Sequence, residues 1–279
     1  MRKGLLSIIM LFAGMVSYAG GIITAKEFAD IIKGKPDVVI IDAQRATDYA
    51  TEHVKGAINI WQQDLFAGKP DGILKSPEEL AKLFGAKGIS ESTSVVIYDD
   101  GSNKYTSRIW FVLTMLGAKD VSITTKDMAE WGKYRIPLTS QPAKRTAVNF
   151  NLALNTTMGI SIEDYKSLAV KPKLIDTRKP EEFNGSDGKS LGHLPGAILL
   201  NYKDLLDAKG NFLSATQITS LPALAGLSID TEVVFYCNSG VLAAVGYYAL
   251  HEIAGFKNVK VLDGGYNHWV LDKSNPIEK

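Results

Sequence analysis

The single cysteine of this 279-residue chain, Cys237, is the residue best suited to chemistry. With one thiol, the chain cannot form an intramolecular disulfide or a cysteine-cluster zinc or iron–sulfur site. Cys237 directly follows the apolar run 233–236, which has the length and composition of a buried strand. Ligand sites in parallel sheets lie at the carboxyl ends of strands, so Cys237 is a candidate nucleophile. The residues that follow it are Asn238, Ser239, Gly240, Val241 and Leu242.

The turn after Cys237 is predicted to stabilise a thiolate. Gly240 permits backbone angles that other residues rarely adopt, and a helical pattern begins at Ala243. In such a turn, successive backbone N–H groups converge on one point, and the helix N-terminus adds partial positive charge. Both effects would lower the pKa of the thiol from its usual value of about 8.5. The alternative is a buried, inert cysteine.

Short apolar runs alternate with helical patterns along the rest of the chain. This alternation predicts an α/β fold, in which helices cover both faces of a mostly parallel sheet. The predicted strands are 38–42, 95–98, 121–123, 174–176, 233–236 and 259–262. The predicted helices are 106–116, 162–169, 215–221 and 241–253, with one more that begins at a capping box of Ser76, Pro77 and Glu79.

The chain contains two copies of one pattern. The segment 95–99 matches 233–237, and 53–57 matches 193–197, in the same order and at nearly equal separations. Small differences in separation are what insertions in surface loops produce. The expected organisation is an N-terminal domain at 20–137, a linker at 138–157 and a C-terminal domain at 158–279.

The first nineteen residues have the pattern of a secretory signal peptide. Arg2 and Lys3 are followed by the uncharged stretch 5–16 and by the small residues Ser17 and Ala19. The alternative is a membrane anchor, but the apolar stretch is short, because a spanning helix needs about 20 residues. We expect cleavage after Ala19 and a periplasmic protein without stable membrane insertion.

The composition argues against two kinds of partner. Lys and Arg number 31 and Asp and Glu 30, so the formal net charge is +1. A nucleic-acid-binding protein usually carries a basic excess or stripe, so we expect no nucleic-acid partner. Four histidines leave little material for a metal site, and we expect none.

The chain resembles the tandem-domain rhodanese superfamily over nearly all of the sequence after residue 19. The resemblance rests on the strand, cysteine, loop and helix that start at residue 233, and on the motifs Asp176-Thr177-Arg178, Asp263-Gly264-Gly265 with Trp269, and His-x-x-Gly-Ala at His53 and His193. It implies two tandem rhodanese-like domains, each a mostly parallel sheet flanked by helices. It also implies that the C-terminal domain is catalytic and that the N-terminal domain, with Asp99 in place of the cysteine, is inactive.

The activity that the resemblance implies is sulfur transfer. Cys237 would take sulfane sulfur from a small anionic donor, thiosulfate or 3-mercaptopyruvate, as a persulfide. It would then pass this sulfur to cyanide or to a thiol acceptor, which includes a protein thiol. Such covalent catalysis needs no metal and no organic cofactor.

Three other functions compete with sulfur transfer. A non-enzymatic carrier of persulfide or polysulfide sulfur would use the same cysteine, so the sequence barely separates it from an enzyme. A purely structural module without sulfur chemistry is the second alternative. A dual-specificity phosphatase of the same fold is disfavoured, because it needs an arginine six residues after the cysteine, where this chain has Ala243.

Arg178 is the residue that the resemblance assigns to the anionic group of the donor. A guanidinium can hold a carboxylate or a sulfonate with two hydrogen bonds. The competing interpretation is a surface ion pair with Glu181 or Glu182. The other substrate-binding residues that the resemblance implies are Asn238, Ser239, Gly240, Val241 and Leu242.

The resemblance also implies a proton relay of the kind proposed for mercaptopyruvate enzymes. Ser239 and His53 match two of its members, and Asp42 or Asp48 would supply the carboxylate that orients the imidazole. The competing interpretation is that His53 is a structural residue of its turn, since His193 takes the same place in the second copy.

Overall fold

The structure, a computed structural model, describes residues 21–279 and consists of two halves of similar construction. The N-terminal half contains α1 (Ala25–Gly34), β1 (Val39–Asp42), α2 (Ala46–Thr51), β2 (His53–Val54), β3 (Ile58–Asn59), α3 (Pro77–Ala86), β4 (Val95–Tyr98), α4 (Lys104–Met115), β5 (Val121–Ile123), α5 (Met128–Tyr134) and β6 (Leu138–Thr139). The C-terminal half contains β7 (Gly159–Ile160), α6 (Ile162–Ser167), β8 (Lys173–Asp176), α7 (Pro180–Phe183), β9 (Ile198–Leu199), α8 (Ala215–Thr219), β10 (Val233–Tyr236), α9 (Val241–Tyr247), β11 (Val259–Leu262) and α10 (Gly265–Trp269).

Two sequence predictions concern the membrane. The signal peptide predicted at 1–19 lies outside the described residues and stays a prediction. Within residues 21–279, no helix combines the length and the apolar composition that a membrane crossing requires.

Each half is built around one parallel sheet. The strand order is β3-β1-β4-β5 in the N-terminal half and β7-β11-β10-β8-β9 in the C-terminal half. Neighbouring strands within both sheets are parallel, and a separate antiparallel pair joins β2 to β6. The predicted α/β fold with two sheets is therefore confirmed.

The central strands are apolar along their whole length because helices cover both of their faces. β4 has the sequence Val-Val-Ile-Tyr and β10 the sequence Val-Val-Phe-Tyr, and every one of these side chains is buried. Parallel pairing brings the carboxyl ends of neighbouring strands to one edge of each sheet. The residues that follow β8, β10 and β11 therefore lie close together.

Capping boxes start several helices, among them α1, α3 and α8. At the start of α3, Ser76 Oγ accepts a hydrogen bond from the Glu79 N–H at 3.2 Å, and the Glu79 carboxylate accepts one from the Ser76 N–H at 3.0 Å. This start agrees with the sequence prediction. Thr24 and Glu27 form the same motif at α1, a helix that the sequence analysis does not predict.

The helix predicted at 241–253 consists of two parts. α9 is followed directly by a π-helix over Tyr248–Ile253. A π-helix has a wider turn than an α-helix. Consecutive aromatic residues at the junction, Tyr247 and Tyr248, are both buried.

The predicted linker, 138–157, is attached to the N-terminal half. Its first two residues form β6, so the domain boundary predicted at 137 falls beside a strand that still belongs to this half. Phe150 is buried, and its ring centre lies 6.4 Å from that of Phe84. The N–H groups of Ala153 and Asn155 donate to carbonyl groups at the end of α4. The linker lacks helical periodicity because it runs extended along this half.

The two halves share one core where α4 packs against α9. The Trp110 ring lies 4.7 Å from the Tyr248 ring and 6.2 Å from the Tyr247 ring. Phe111 lies 5.1 Å from Tyr247, and all four side chains are buried. The halves therefore pack directly on each other.

A hairpin of the N-terminal half covers the strand-end loops of the C-terminal half. The bridge Phe66–Leu74 closes this hairpin. Its Gly72 carbonyl accepts a hydrogen bond from the Gly264 N–H at 3.3 Å, and Asp71 O accepts one from Asn267 Nδ2 at 2.9 Å. The N-terminal half thus closes one side of the region around Cys237.

The reverse contact also exists. The C-terminal half has a hairpin closed by the bridge Leu206–Phe212. Asn103 Nδ2, at the strand-end loop of the N-terminal half, donates to Gly210 O at 2.6 Å. Each half therefore covers the strand-end loop of the other.

Substitution of Trp110 tests whether the shared core joins the halves. We expect Trp110→Ala to lower the free energy of unfolding by about 3–5 kcal/mol, because it leaves a cavity between α4 and α9. Urea denaturation followed by circular dichroism measures this change. The control is Val170→Ala, at a side chain that is 82% exposed, which should change stability by less than about 0.5 kcal/mol. Equal stability of the two variants would contradict the shared core.

Candidate active site

Cys237 lies at the end of β10 with 1% of its surface exposed. The backbone N–H groups of Ser239, Leu242 and Ala243 surround its sulfur and favour the thiolate. Gly240 has a φ of +82°, a left-handed conformation that turns the chain between these donors. The convergence of N–H groups predicted for this turn is present in the structure.

The pKa of Cys237 differs from the sequence expectation. Burial raises the pKa of the thiol above its ordinary value, and this effect outweighs the N–H donors and the Arg108 guanidinium, which act in the opposite direction. The expected net lowering was wrong because a thiolate at this depth loses its hydration. The N–H groups recover only part of that loss.

The same loop in the N-terminal half holds a carboxylate. Asp99 Oδ1 accepts hydrogen bonds from the N–H groups of Gly101 at 2.9 Å and Asn103 at 3.1 Å. Asp99 Oδ2 accepts from Tyr105 at 3.1 Å and Thr106 at 3.3 Å. Burial raises the pKa of Asp99 to about 6. The strand-end loop is therefore an anion-holding loop in both halves, occupied by a carboxylate in one and by sulfur in the other.

The glycines after β11 support the cysteine loop from behind. The Cys237 carbonyl accepts a hydrogen bond from the Tyr266 N–H at 2.8 Å, and the Asn238 carbonyl accepts one from the Asn267 N–H at 3.0 Å. Gly265 has a φ of +54°, and a Cβ there would collide with the Cys237 carbonyl oxygen. The Asp-Gly-Gly motif is thus explained by the close approach of α10 to the loop.

Arg178 is buried inside the C-terminal half. Its Nη2 lies 2.7 Å from Asp176 Oδ2 and donates to Gly192 O at 2.9 Å. The guanidinium lies 4.0 Å from the centre of the Tyr266 ring, and its side chain is fully covered. These contacts hold the loop after β8, and a role for Arg178 in holding the donor stays a prediction.

The surface ion pair considered for Arg178 is absent. Lys179, not Arg178, lies near Glu181 at 3.8 Å. Glu182 instead accepts a hydrogen bond from Asn238 Nδ2 at 2.7 Å, which places a carboxylate beside the cysteine loop. Arg178 makes no ion pair with Glu181 or Glu182 because its guanidinium pairs with the buried carboxylate of Asp176.

The predicted relay of Ser239, His53 and Asp42 is not assembled. His53 Nδ1 lies 2.6 Å from Tyr49 O and its Nε2 lies 3.0 Å from Gln141 O. Both ring nitrogens are therefore occupied by carbonyl groups of the N-terminal half. The competing interpretation of His53 as a structural residue agrees with these contacts.

Asp42 and Asp176 have matching roles at the strand ends. Asp42 Oδ1 accepts a hydrogen bond from the Gln44 N–H at 2.8 Å, and Asp176 Oδ1 accepts one from the Arg178 N–H at 2.9 Å. Asp42 Oδ2 also accepts a hydrogen bond from the Tyr98 hydroxyl at 2.5 Å. Each carboxylate thus fixes the turn that follows its own strand.

Packing covers the apolar residues of the cysteine loop. Val241 is buried, and Leu242 is partly buried against the shared core. Ser239 contributes its backbone N–H.

Arg108 is a functional candidate that the sequence analysis missed. It belongs to α4 of the N-terminal half and is 1% exposed. A Cβ on Gly240 would lie 2.9 Å from its Nη1, so the guanidinium packs against the cysteine loop of the other half. The available signal was a charged residue in an otherwise apolar helix face, but its neighbour across the interface could not be inferred.

A cavity of about 360 Å³ lies beside Arg108 between the two halves. Asp263, which follows β11, also lines it, and its Oδ1 is buried without a hydrogen-bond partner. Burial raises the pKa of Asp263, and the Arg108 charge opposes this effect. Among residues 21–279 there is no group of three or more side chains that could hold a metal ion.

Fold and site together define a duplicated α/β protein with a buried cysteine in the anion-holding loop of its second half. The family described as Rhodanese-like domain matches residues 24–134 and 161–272. The chain therefore belongs to this family and contains two rhodanese-like domains. The resemblance noted in the sequence is confirmed.

Two bacterial relatives match nearly the whole chain. A Mycobacterium tuberculosis protein, provisionally named a thiosulfate sulfurtransferase, is 26% identical over 271 residues, which cover 92% of this chain and 97% of the relative. A Pseudomonas aeruginosa protein, provisionally named a 3-mercaptopyruvate sulfurtransferase, is 28% identical over 278 residues with the same coverage.

Solved structures show the same fold. SseA from Escherichia coli, described with the 3-mercaptopyruvate sulfotransferases, has a TM-score of 0.74 and 26% identity, covering 88% of this chain and 98% of SseA. The anaerobic ergothioneine biosynthesis enzyme from Chlorobium limicola has a TM-score of 0.82 at 20% identity, covering 92% of this chain and 70% of that enzyme. The second likeness concerns the fold alone.

Gly265→Ala tests whether α10 holds the cysteine loop. The added methyl group should displace the loop, so that the N–H groups of Leu242 and Ala243 exchange with solvent deuterium at least about tenfold faster. Amide hydrogen exchange measured by NMR shows this directly. The control is Gly255→Ala, which has a similar φ of +76° but no atom within 4 Å of the added Cβ. Unchanged exchange in Gly265→Ala would contradict this support.

Proposed function

We propose that this protein is a sulfurtransferase that moves sulfane sulfur through a persulfide on Cys237. The observation that carries the proposal is the set of three N–H groups, from Ser239, Leu242 and Ala243, that point at the cysteine sulfur. Such donors stabilise negative charge on whichever sulfur occupies the loop. The family and the names of the relatives support the same activity.

In the first step the Cys237 thiolate attacks the donor sulfur. With thiosulfate, a sulfur–sulfur bond forms to the cysteine and the bond to the sulfite sulfur breaks, so that sulfite leaves with the electron pair. With 3-mercaptopyruvate, the carbon–sulfur bond breaks and the carbon keeps the electron pair as an enolate. The enolate then takes the proton of the donor thiol and becomes pyruvate. Both routes leave an anionic persulfide in the loop.

In the second step an acceptor attacks the outer sulfur of the persulfide. Cyanide gives thiocyanate and restores the Cys237 thiolate, while a thiol gives a new persulfide. Because Cys237 is the only cysteine, no internal thiol can resolve the persulfide as a disulfide. The sulfur must leave to an external acceptor, and the two steps give ping-pong kinetics.

We expect 3-mercaptopyruvate to be the better donor. Thiosulfate is a dianion, whereas residues 238–242 carry no cationic side chain. The carboxylate of Glu182 lies beside the loop through its contact with Asn238, and Arg178 is already paired with Asp176. Arg108 packs on the loop from the N-terminal half, and the single charge of the 3-mercaptopyruvate carboxylate needs less compensation from it than the two charges of thiosulfate.

Thiocyanate formation from cyanide, measured side by side with the two donors, tests the proposal. We expect steady turnover with 3-mercaptopyruvate, slower turnover with thiosulfate, and loss of both in Cys237→Ser. Turnover in Cys237→Ser at the wild-type rate would overturn the sulfurtransferase. A burst of one equivalent per chain without a steady state would instead identify a sulfur carrier. Faster turnover with thiosulfate would contradict the donor preference alone.

A further inference from the structure

Arg108 is a buried cation without a matching anion on its own helix. Its side chain is 1% exposed, and its Nε and Nη2 atoms have no hydrogen-bond partner. Phe66 and Phe111 lie against the guanidinium, with ring centres at 5.6 Å and 5.7 Å. Within the described part of the chain, the ion pairs found at up to 4.0 Å do not include this residue.

An unpaired guanidinium at this depth is unfavourable, because it has lost water without gaining a partner charge. Burial accordingly lowers the pKa of Arg108, and only two anionic groups oppose that effect, namely Asp263 and Cys237. Asp263 has the larger of these two effects, and its Oδ1 has no hydrogen-bond partner. Cys237 is the partner whose charge appears during the reaction.

The position of Arg108 fits a contact with the loop and not only with the domain interface. A Cβ on Gly240 would lie 2.9 Å from Nη1 and 3.1 Å from Cζ and from Nη2 of Arg108. Gly240 lies between the donors Ser239 and Leu242, so the guanidinium packs directly on the turn that surrounds the sulfur. The charge comes from the N-terminal half, whereas the cysteine belongs to the C-terminal half.

We propose that Arg108 is a positioning residue that supplies the countercharge for the Cys237 thiolate and its persulfide. The N-terminal half, which holds a carboxylate in its own loop, thus contributes to the nucleophile of the other half. The proposal rests on the proposed function in taking Cys237 as the nucleophile. Its test measures the thiol itself and does not depend on sulfur transfer.

Other charged groups also lie around Arg108 and Cys237. Asp263 and His268 lie on the side of β11 and α10, and Glu182 contacts the loop through Asn238. Lys75 and Asp164 line the cavity next to Arg108. The ion pair Arg178–Asp176 lies on the side of β8. Asp263 is the one of these groups that acts directly on the Arg108 charge.

The test is the pH dependence of Cys237 alkylation by iodoacetamide in Arg108→Gln. We expect the apparent pKa of the thiol to rise by about 1, with about tenfold slower alkylation at pH 7. Arg108→Lys should recover most of the wild-type profile, because it keeps the charge. The matched control is Lys104→Gln, which removes a partly buried cation one turn earlier on α4 and should leave the profile unchanged.

Three results would overturn the proposal. The first is a folded Arg108→Gln variant in which Cys237 alkylation keeps the wild-type pH profile. The second is an Arg108→Lys variant in which this profile shifts as far as it does in Arg108→Gln. Where Arg108→Gln does not fold, Arg108→Met replaces it, since methionine fills the space without a buried polar group. The third result comes from the unmodified chain: an Arg108 Nε NMR signal that does not titrate together with the Cys237 Cβ signal. A shifted profile without thiocyanate turnover would contradict the proposed function and leave this inference standing.

Discussion

The structure around Cys237 depends on the convergence of backbone N–H groups at the end of a buried parallel strand. The strand β10, which is buried along its whole length, places the residue that follows it, Cys237, at a position only 1% exposed. An anion there has lost the stabilisation that water would give, and converging backbone N–H groups replace part of it. Ser239, Leu242 and Ala243 supply the N–H groups, and α10 holds the loop by contacts to the carbonyls of Cys237 and Asn238.

The two halves apply this arrangement to different anions. In the N-terminal half the loop surrounds the Asp99 carboxylate, which is fixed and cannot carry sulfur. In the C-terminal half the same loop surrounds a thiol, whose pKa burial raises. The duplication places the α4 helix of one half against the cysteine loop of the other, so that Arg108 lies beside Gly240. A single half would lack this charge.

Much of the fold follows from local patterns in the sequence. The strands at 95–98, 233–236 and 259–262 agree with the structure, because uninterrupted β-branched runs have few alternatives in a helix-covered sheet. The turn at Gly240 was also predictable from the local sequence, because glycine readily adopts the positive φ found there. Local patterns could not predict the tertiary contacts of three side chains. Arg178 is paired with Asp176 inside the C-terminal half, and His53 faces carbonyl groups of the N-terminal half, whereas Arg108 reaches across the interface to the cysteine loop. The pKa of Cys237 was likewise beyond reach, because it depends on burial by both halves.

The central claim is that sulfur from a small donor is held on Cys237, and the mass of the intact chain tests it most directly. After incubation with 3-mercaptopyruvate and without acceptor, the wild-type chain should gain about 32 Da, one sulfur atom, and peptide mapping should place it on Cys237. Cyanide should remove the added mass, and Cys237→Ser should never acquire it. A wild-type chain that gains no mass from 3-mercaptopyruvate or thiosulfate, although its thiol can be alkylated, would contradict the account.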